Sequence, residues 1–399
     1  MKNKLNPFLS AEEVKHPTLF WVRKNLFSSV GNVILTLISF FLIYLLIVKG
    51  ALPLLKLDWT VIKANMKLIF TGSYPMDQLW RVWILVLYIA IFFGLTFRVF
   101  SIKTPKLIFI ISGILFAFCF LEFSVFTKVF FVLTASLLVG SYFLGSLVTK
   151  RKLTQVIGLG WVLLMPFSFI IIRGFGGFLP IVKPNLWGGL LLSLLISLTS
   201  IFLSLPIGLL LALGRRSKMK FIRVVCTVII EVVRGVPLIT ILFIGYLILP
   251  MALPASWTPS VFIRALAGVV MFHSAYMAES FRGGLQGISV TQYEAAKSLN
   301  IGTVKTMFLI ILPQVLKRMI PILVNSFTSA LKDTSLISII GMLDLIGIST
   351  SIVSNPKYLT GSAQVLFFEG LIYFILCFSI SKGSMVLEKR LGINTKVGM

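Results

Sequence analysis

Acidic residues are scarce. The 399-residue chain holds 12 Asp and Glu against 37 Lys and Arg, and charged residues of both signs make up only 12% of it. A soluble domain of this length carries far more charge on its surface. Histidine is nearly missing: His16 and His273 are the two in the chain, which excludes a histidine-built metal cluster. Cys119, Cys226 and Cys377 stand singly in apolar runs. They are expected to be buried free thiols, not a disulfide framework. No G-x-x-x-x-G-K-[ST] stretch occurs, so ATP binding through a P-loop is not expected. No nucleophile, base and metal set converges, so neither an enzyme nor a cofactor is expected. The first 28 residues are polar and lack a small-residue cleavage site before the first apolar run, so no cleavable signal peptide is expected.

What is abundant is apolar sequence. Hydrophobic residues make up 58% and the mean hydropathy is +1.02. This predicts an all-α polytopic membrane protein with about ten transmembrane helices. The apolar runs fall at 30–48, 80–97, 107–121, 129–147, 156–172, 190–213, 229–249, 261–278, 320–340 and 363–379. A polar stretch of about thirty residues, with Pro53, Trp59 and Pro75, separates the first two. Pro206 is expected to bend the sixth. A Gly/Pro-rich connector, RGFGGFLPIVKPNLWGG, marks a boundary. It divides the chain into an N-terminal region, 1–184, a core, 185–390, and a tail, 391–399. The net charge of +25 does not imply nucleic acid, because the basic residues sit in short loops between spans. With the N-terminus inside, 25 of the 37 basic residues fall on inner segments, beginning with Lys2, Lys4 and Lys15, and nine on outer ones. Both termini are therefore expected in the cytoplasm.

One stretch between the spans is polar and helix-favouring: TQYEAAKSLNIGTVKTMFLIILP, from Thr291 to Pro313. Thr291 can cap a helix, and Glu294, three residues on, can complete a capping box. Ala295 and Ala296 favour helix with little bulk, so another surface can come close. Asn300 tolerates the left-handed conformation that ends a helix. Gly302 and Thr303 can turn the chain into a second helix, which Pro313 then constrains. The expectation is a helix, a turn and a second helix on the membrane face, or else an ordinary polar loop.

Other polar residues lie within the apolar runs. Glu231 and Arg234, three apart, share one helix face and can pair. They serve as a gate or partner contact, or as a structural brace; Gly235 and Pro237 would loosen the helix beyond them. His273, Tyr276 and Glu279 make a drifting stripe on one helix, either lining a path or bonded to neighbouring helices. Lys332 and Asp333 could meet the two charges of an amino acid, or pair with each other. Asn325 lies further along the same span. Glu122, Asp344 and Glu369 are read as solvated or structural residues near span ends.

The Glu294-Ala295-Ala296 run, with Leu299 and Leu312-Pro313-Gln314, resembles the EAA loop of the membrane subunits of bacterial ABC importers. The family's glycine six residues after the Glu is Asn300 here. From 185 to 390 the chain resembles permeases of the polar-amino-acid branch. The carrying blocks are Leu205-Pro206-Ile207-Gly208, Leu211 to Ser217, Glu231 to Pro237, Ser274 to Glu279, Arg282-Gly283-Gly284 and Leu331 to Leu336. Arg23 to Ser29 before five further spans resembles the long permeases of general L-amino acid importers. The resemblance implies that the last five spans form an ABC permease core. It implies that Tyr293, Glu294, Ala295, Ala296, Asn300, Gly302 and Pro313, within the loop 289–313, couple to a cytoplasmic ATPase dimer. It further implies a second, different permease chain, a periplasmic or surface amino-acid-binding protein and an L-amino acid substrate at a bacterial inner membrane. A self-contained secondary amino acid transporter is the competing expectation; inverted repeats and broken midplane helices would mark it.

Overall fold

In the computed structural model of the chain, residues 17–51, 53, 58–99, 106–120 and 124–390 are described. Lys2, Lys4, Lys15, His16, Glu122 and the tail 391–399 lie outside them. The helices are α1 (Pro17–Leu26), α2 (Val30–Leu45), α3 (Thr60–Thr71), α4 (Trp80–Val99), α5 (Lys106–Phe118), α6 (Val125–Leu144), α7 (Lys150–Arg173), α8 (Gly189–Arg215), α9 (Lys220–Gly235), α10 (Leu238–Phe243), α11 (Val261–Gln286), α12 (Val290–Ser298), α13 (Leu312–Asp333), α14 (Leu345–Val353) and α15 (Ser362–Arg390). Among the described residues two isolated β-bridges occur and no named strand. Among the described residues, eight helices are long and apolar enough to cross a membrane, or nine if one bent pair counts as a span. The shorter Ile108–Phe118 accounts for the remaining predicted run.

Two predicted segments differ from their expectation. The seventh run is broken: Lys220–Gly235 and Leu238–Ala252 meet at 107°. Proline at 237 has no amide hydrogen to donate, which lets the chain turn there. The first piece, α9, is amphipathic. Lys220, Arg223, Thr227, Glu231 and Arg234 recur at helical spacing along one face, and Phe221, Val224, Val228 and Val232 are exposed on another. The second difference is the thirty-residue polar stretch, which contains α3. Its Val61, Ile62 and Ile69 pack with Leu345, Ile348 and Ile352 of α14 and Val365 of α15. The sequence carried the signal as an apolar stripe that the surrounding lysines obscured. By contrast, Pro206 sits inside α8 without ending it.

The core is built around α8. It lies against α11, and also contacts α9, α13, α14 and α3. Ser193, Ser197, Ser200 and Ser204 are buried along it, each donating its hydroxyl to a carbonyl of α8 itself. Small, internally satisfied side chains let helix backbones approach in a membrane. At Gly208 an added Cβ would lie 2.7 Å from the Met277 Cβ of α11. Gly189, with φ of 58°, opens α8 in the left-handed region, and a Cβ there would stand 2.2 Å from the Ile69 carbonyl oxygen of α3. Only glycine fits that crossing.

The spans before the connector pack differently. α6 lies against α4 and α5, and α4 against α7. Trp83 stacks on Phe130 with ring centroids 5.3 Å apart, and Tyr88 on Phe167 at 4.8 Å. Only 6% of the best apolar window in Val30–Gly50 is buried within the chain.

Candidate functional site

The polar stretch folds as a helical hook. Ser289, not Thr291, is the N-cap of α12, its side chain accepting from the Thr291 amide at 3.3 Å. The cap lies two residues earlier because α11 ends at Gln286 and Ser289 is the first capping side chain after it. Glu294 is therefore the fifth helical residue, beyond reach of a capping box. Its side chain is exposed, and among the described residues no hydrogen bond or ion pair engages it. Ala295 is exposed too, while Ala296 turns inward and is 2% exposed. The half-buried Tyr293 packs beside a cluster that includes Leu285, Ile288 and Ile311.

The turn closes on Asn300, the one non-glycine residue with positive φ among those described, at 53°. Its amide donates to the Lys297 carbonyl at 2.9 Å and the Ile301 amide to Ala296 at 3.0 Å. This pair of bonds is the Schellman arrangement, and Asn300 takes the place glycine usually holds. Gly302 has φ of −59° and nothing within 4 Å of an added Cβ. The turn therefore owes nothing to its being glycine. The second helix starts at Thr303 and runs through a π-helical stretch, Thr306–Ile311, into α13. Leu312 donates its amide to Met307, a one-residue widening that precedes Pro313 and lets the helix continue through it. Gln314 reaches back to the Gln292 side chain at 3.4 Å, and Arg318 donates to the Gly287 carbonyl. The hook is thus tied to the span that follows it.

Beside the hook lies an ion cluster that the sequence showed only in part. Arg215, ending α8, sits 2.9 Å from Glu231 and 3.5 Å from Glu279. Arg234 approaches Glu279 at 3.7 Å and Glu231 at 4.0 Å. Arg282 pairs with Glu279 one turn away on α11. Glu279 is the hub for three guanidinium groups. Arg234 also lies over the Tyr276 ring, 5.6 Å from its centroid. The Glu231–Arg234 pair is therefore one edge of a brace linking the end of α8, the end of α9 and the C-terminal part of α11. Arg215 and Arg282 stood in the motif blocks, but the partners of Arg215 are 16 and 64 residues away and that of Arg282 is 3 away. Only the last spacing was legible.

The stripe on α11 divides between two neighbourhoods. Tyr276 and Glu279 belong to the ion cluster. His273 is buried, and its Nε2 lies 3.6 Å from the Asp333 carboxylate. Asp333 therefore faces His273. No ion pair joins it to Lys332, which is exposed, as is Asn325. Asp344 and Glu369 are not solvated: they are 0% and 6% exposed.

A family model described as "binding-protein-dependent transport system inner membrane component" matches residues 204–392. A glutamate/glutamine/aspartate/asparagine transport system permease of Rhodobacter capsulatus is 36% identical over 84% of this chain and 78% of its own length. The chain belongs to this family of transport permeases. An inner membrane amino-acid ABC transporter permease of Escherichia coli is 48% identical over 54% of this chain, a match spanning 59% of that protein. A crystal structure of an amino acid ABC transporter with histidines aligns with 51% of this chain and 92% of its own, at 31% identity and a TM-score of 0.46. The family match begins inside α8 and includes the hook, the ion cluster and α13 to α15. The Rhodobacter permease match reaches further, into the spans before the connector.

Proposed function

We propose that this chain is the permease subunit of an ATP-driven importer of L-amino acids, without catalytic residues of its own. It works with a second, different permease chain, an external amino-acid-binding protein and a cytoplasmic ABC ATPase dimer. It sits in a bacterial inner membrane with both termini in the cytoplasm. The observation that supports this most is the face of the hook. Glu294 and Ala295 are turned outward, flanked by Val290, Leu299 and Val304, which are 68%, 74% and 71% exposed. A capped helix that leaves a carboxylate unpartnered beside exposed apolar residues is built to be covered by another protein. An ATPase transmits work there only if its two states grip the hook with different energy. The tie from Arg318 and Gln314 makes the hook move with α13.

The ion cluster is the inner brace of the moving spans, joining three helix segments where the chain bends by 107°. His273, Tyr276, Asn325, Lys332 and Asp333 are the polar residues nearest to the proposed path. The names of the relatives favour polar amino acids as cargo.

The test is a pull-down from solubilised membranes with the wild type and Glu294→Lys. A P-loop ATPase is expected to co-purify with the wild type and to be lost, with uptake, in the variant at equal abundance. An ATPase that still co-purifies with the variant, with uptake intact, would remove the coupling role.

A further inference from the structure

The strongest unassigned feature is the way α9 crosses the end of α8. An added Cβ at Gly214 would stand 2.4 Å from the Cys226 Sγ and 3.5 Å from a methyl of Ile222. Glu231 lies 2.9 Å from Arg215, and Arg223 donates to the Ser217 carbonyl at 3.5 Å. Residues 222 to 231 cover about 13 Å of helix axis, yet these four contacts all fall on residues 214 to 217. Helices lying side by side would pair nine residues with nine. α9 therefore lies across the end of α8, and at 107° to the helix that follows it.

The faces of α9 differ in chemistry. Ile230 and Val233 are buried against the core. Phe221, Val225, Val228 and Val232 recur at i, i+4, i+7 and i+11, which makes one stripe, and they are 78%, 39%, 53% and 58% exposed. A third face carries Lys220, Arg223 and Thr227, and it continues into the preceding loop, where Arg216 and Lys218 are exposed. Residues 216 to 223 thus hold four cations and no acidic residue. Among the described residues none of the four forms an ion pair. With 16 residues α9 is about 24 Å long, short of the roughly 30 Å apolar core of a bilayer, and its charged face would be costly there. Water could solvate the cations but not the stripe. Acyl chains could cover the stripe but not hold the cations. The boundary between the two, where lipid phosphates sit, serves both.

We infer that α9 is an in-plane helix at the bilayer surface on the hook's side, with its Phe221 stripe in the acyl chains and Arg216, Lys218, Lys220 and Arg223 on anionic phospholipid headgroups. This placement is independent of the cargo and of the ATPase. Glu231 and Arg234 belong to the last turns of α9, so lipid that positions the helix also bears on the brace.

The experiment uses the full chain, with Cys119, Cys226 and Cys377 changed to alanine, in lipid nanodiscs containing phosphatidylglycerol. A nitroxide is attached in turn at Phe221→Cys, Val225→Cys, Val228→Cys and Val232→Cys. Its depth is read from collisions with oxygen and with a water-soluble nickel chelate. All four labels are expected in the same layer, about 5–10 Å below the surface. A steady change of about 16 Å from 221 to 232, the rise of eleven residues, would overturn the placement, because the helix would then cross the bilayer. Little access to either reagent at all four positions would also overturn it, with a second copy as the cover. Replacing phosphatidylglycerol by phosphatidylcholine should raise nickel access at 221, beside the cations, about twofold or more. Arg216→Gln, Lys218→Gln and Lys220→Gln together should do the same in phosphatidylglycerol. Unchanged access at 221 after either replacement would overturn the contact with anionic headgroups. Should one labelled variant not fold, the other three still span at least seven residues, and 225 stands in for 221.

Discussion

The two regions on either side of the connector solve the same packing problem with opposite materials. In the core, α8 and α11 meet through serine, glycine and alanine, and backbones come close: 39% and 56% of their apolar windows are buried inside the chain, while the spans through α13 and α15 bury 22% and 17%. Before the connector, bulky aromatic rings fill the spaces between helices, and the corresponding windows of α4, α6 and α7 are 17%, 22% and 28% buried. Small side chains bring backbones near enough for van der Waals packing to act over long stretches, which is what drives helix association in lipid. The core is built for close, shape-dependent contact, which suits the region that carries the hook, the ion cluster and the family match. The earlier spans keep wide, lipid-facing surfaces. Residues before the connector cross this division: Leu85 of α4 and Ile172 of α7 share a buried cluster with Leu195 and Val269, and α3 crosses it as a whole helix. α3 lies in the first region by sequence, yet it packs on α8, α14 and α15, with Trp59 set edge-on to Phe367 at 6.1 Å.

The largest expected effect breaks that crossing. Gly189→Val places a β-branched residue at positive φ and drives its Cβ into the Ile69 carbonyl of α3. The expected loss is about 3 kcal/mol, at the upper end for one substitution. A sharp fall in the monodisperse fraction and in the thermal midpoint in detergent would show it. A variant that melts like the wild type would mean that α3 does not dock on α8 in the membrane.

Much of this architecture could be read beforehand, because apolar run length is a strong signal for spans. Eight of the ten runs correspond to helices long enough to cross. The hook's left-handed turn at Asn300 was legible because turn chemistry is local, whereas its cap was expected at Thr291 and lies at Ser289. What failed were contacts between distant residues. Arg215 and Glu279 are 64 positions apart, and nothing in their spacing announces a pair. Asp344 and Glu369 looked like span-end residues; their burial follows from four elements closing over them. α3 was hidden by Lys63 and Lys67 on its other face. Gly235 and Pro237 were read as loosening the helix, but nothing in the sequence announced that α9 would lie at 107° to the helix after it.

A smaller effect sharpens the comparison within the core, at the hook. Asn300→Gly keeps the left-handed turn and is expected to stay within about 0.5 kcal/mol of the wild type. Asn300→Val pays the full left-handed penalty, about 1–2 kcal/mol, and its β-branched side chain resists the turn. Uptake at equal membrane abundance should follow the same order. If valine matched the wild type in both uptake and midpoint, the Schellman turn would not be what sets the hook's angle.

The smallest expected effect tests the loosest part of the first region. Phe41 on α2 is 60% exposed, whereas Phe281 on α11 is 1% exposed. The same change, to leucine, should cost about 1 kcal/mol at 281, where a ring-shaped space is left behind. It should cost less than about 0.5 kcal/mol at 41, where lipid refills whatever the ring vacates. Thermal midpoints of the two variants, measured side by side in lipid nanodiscs, make the comparison direct. Equal losses would mean that α2 is as tightly covered as α11, and lipid packs too loosely to do that. Its cover would then have to be another protein, and the contrast between the two regions would belong to the isolated chain and not to its assembly.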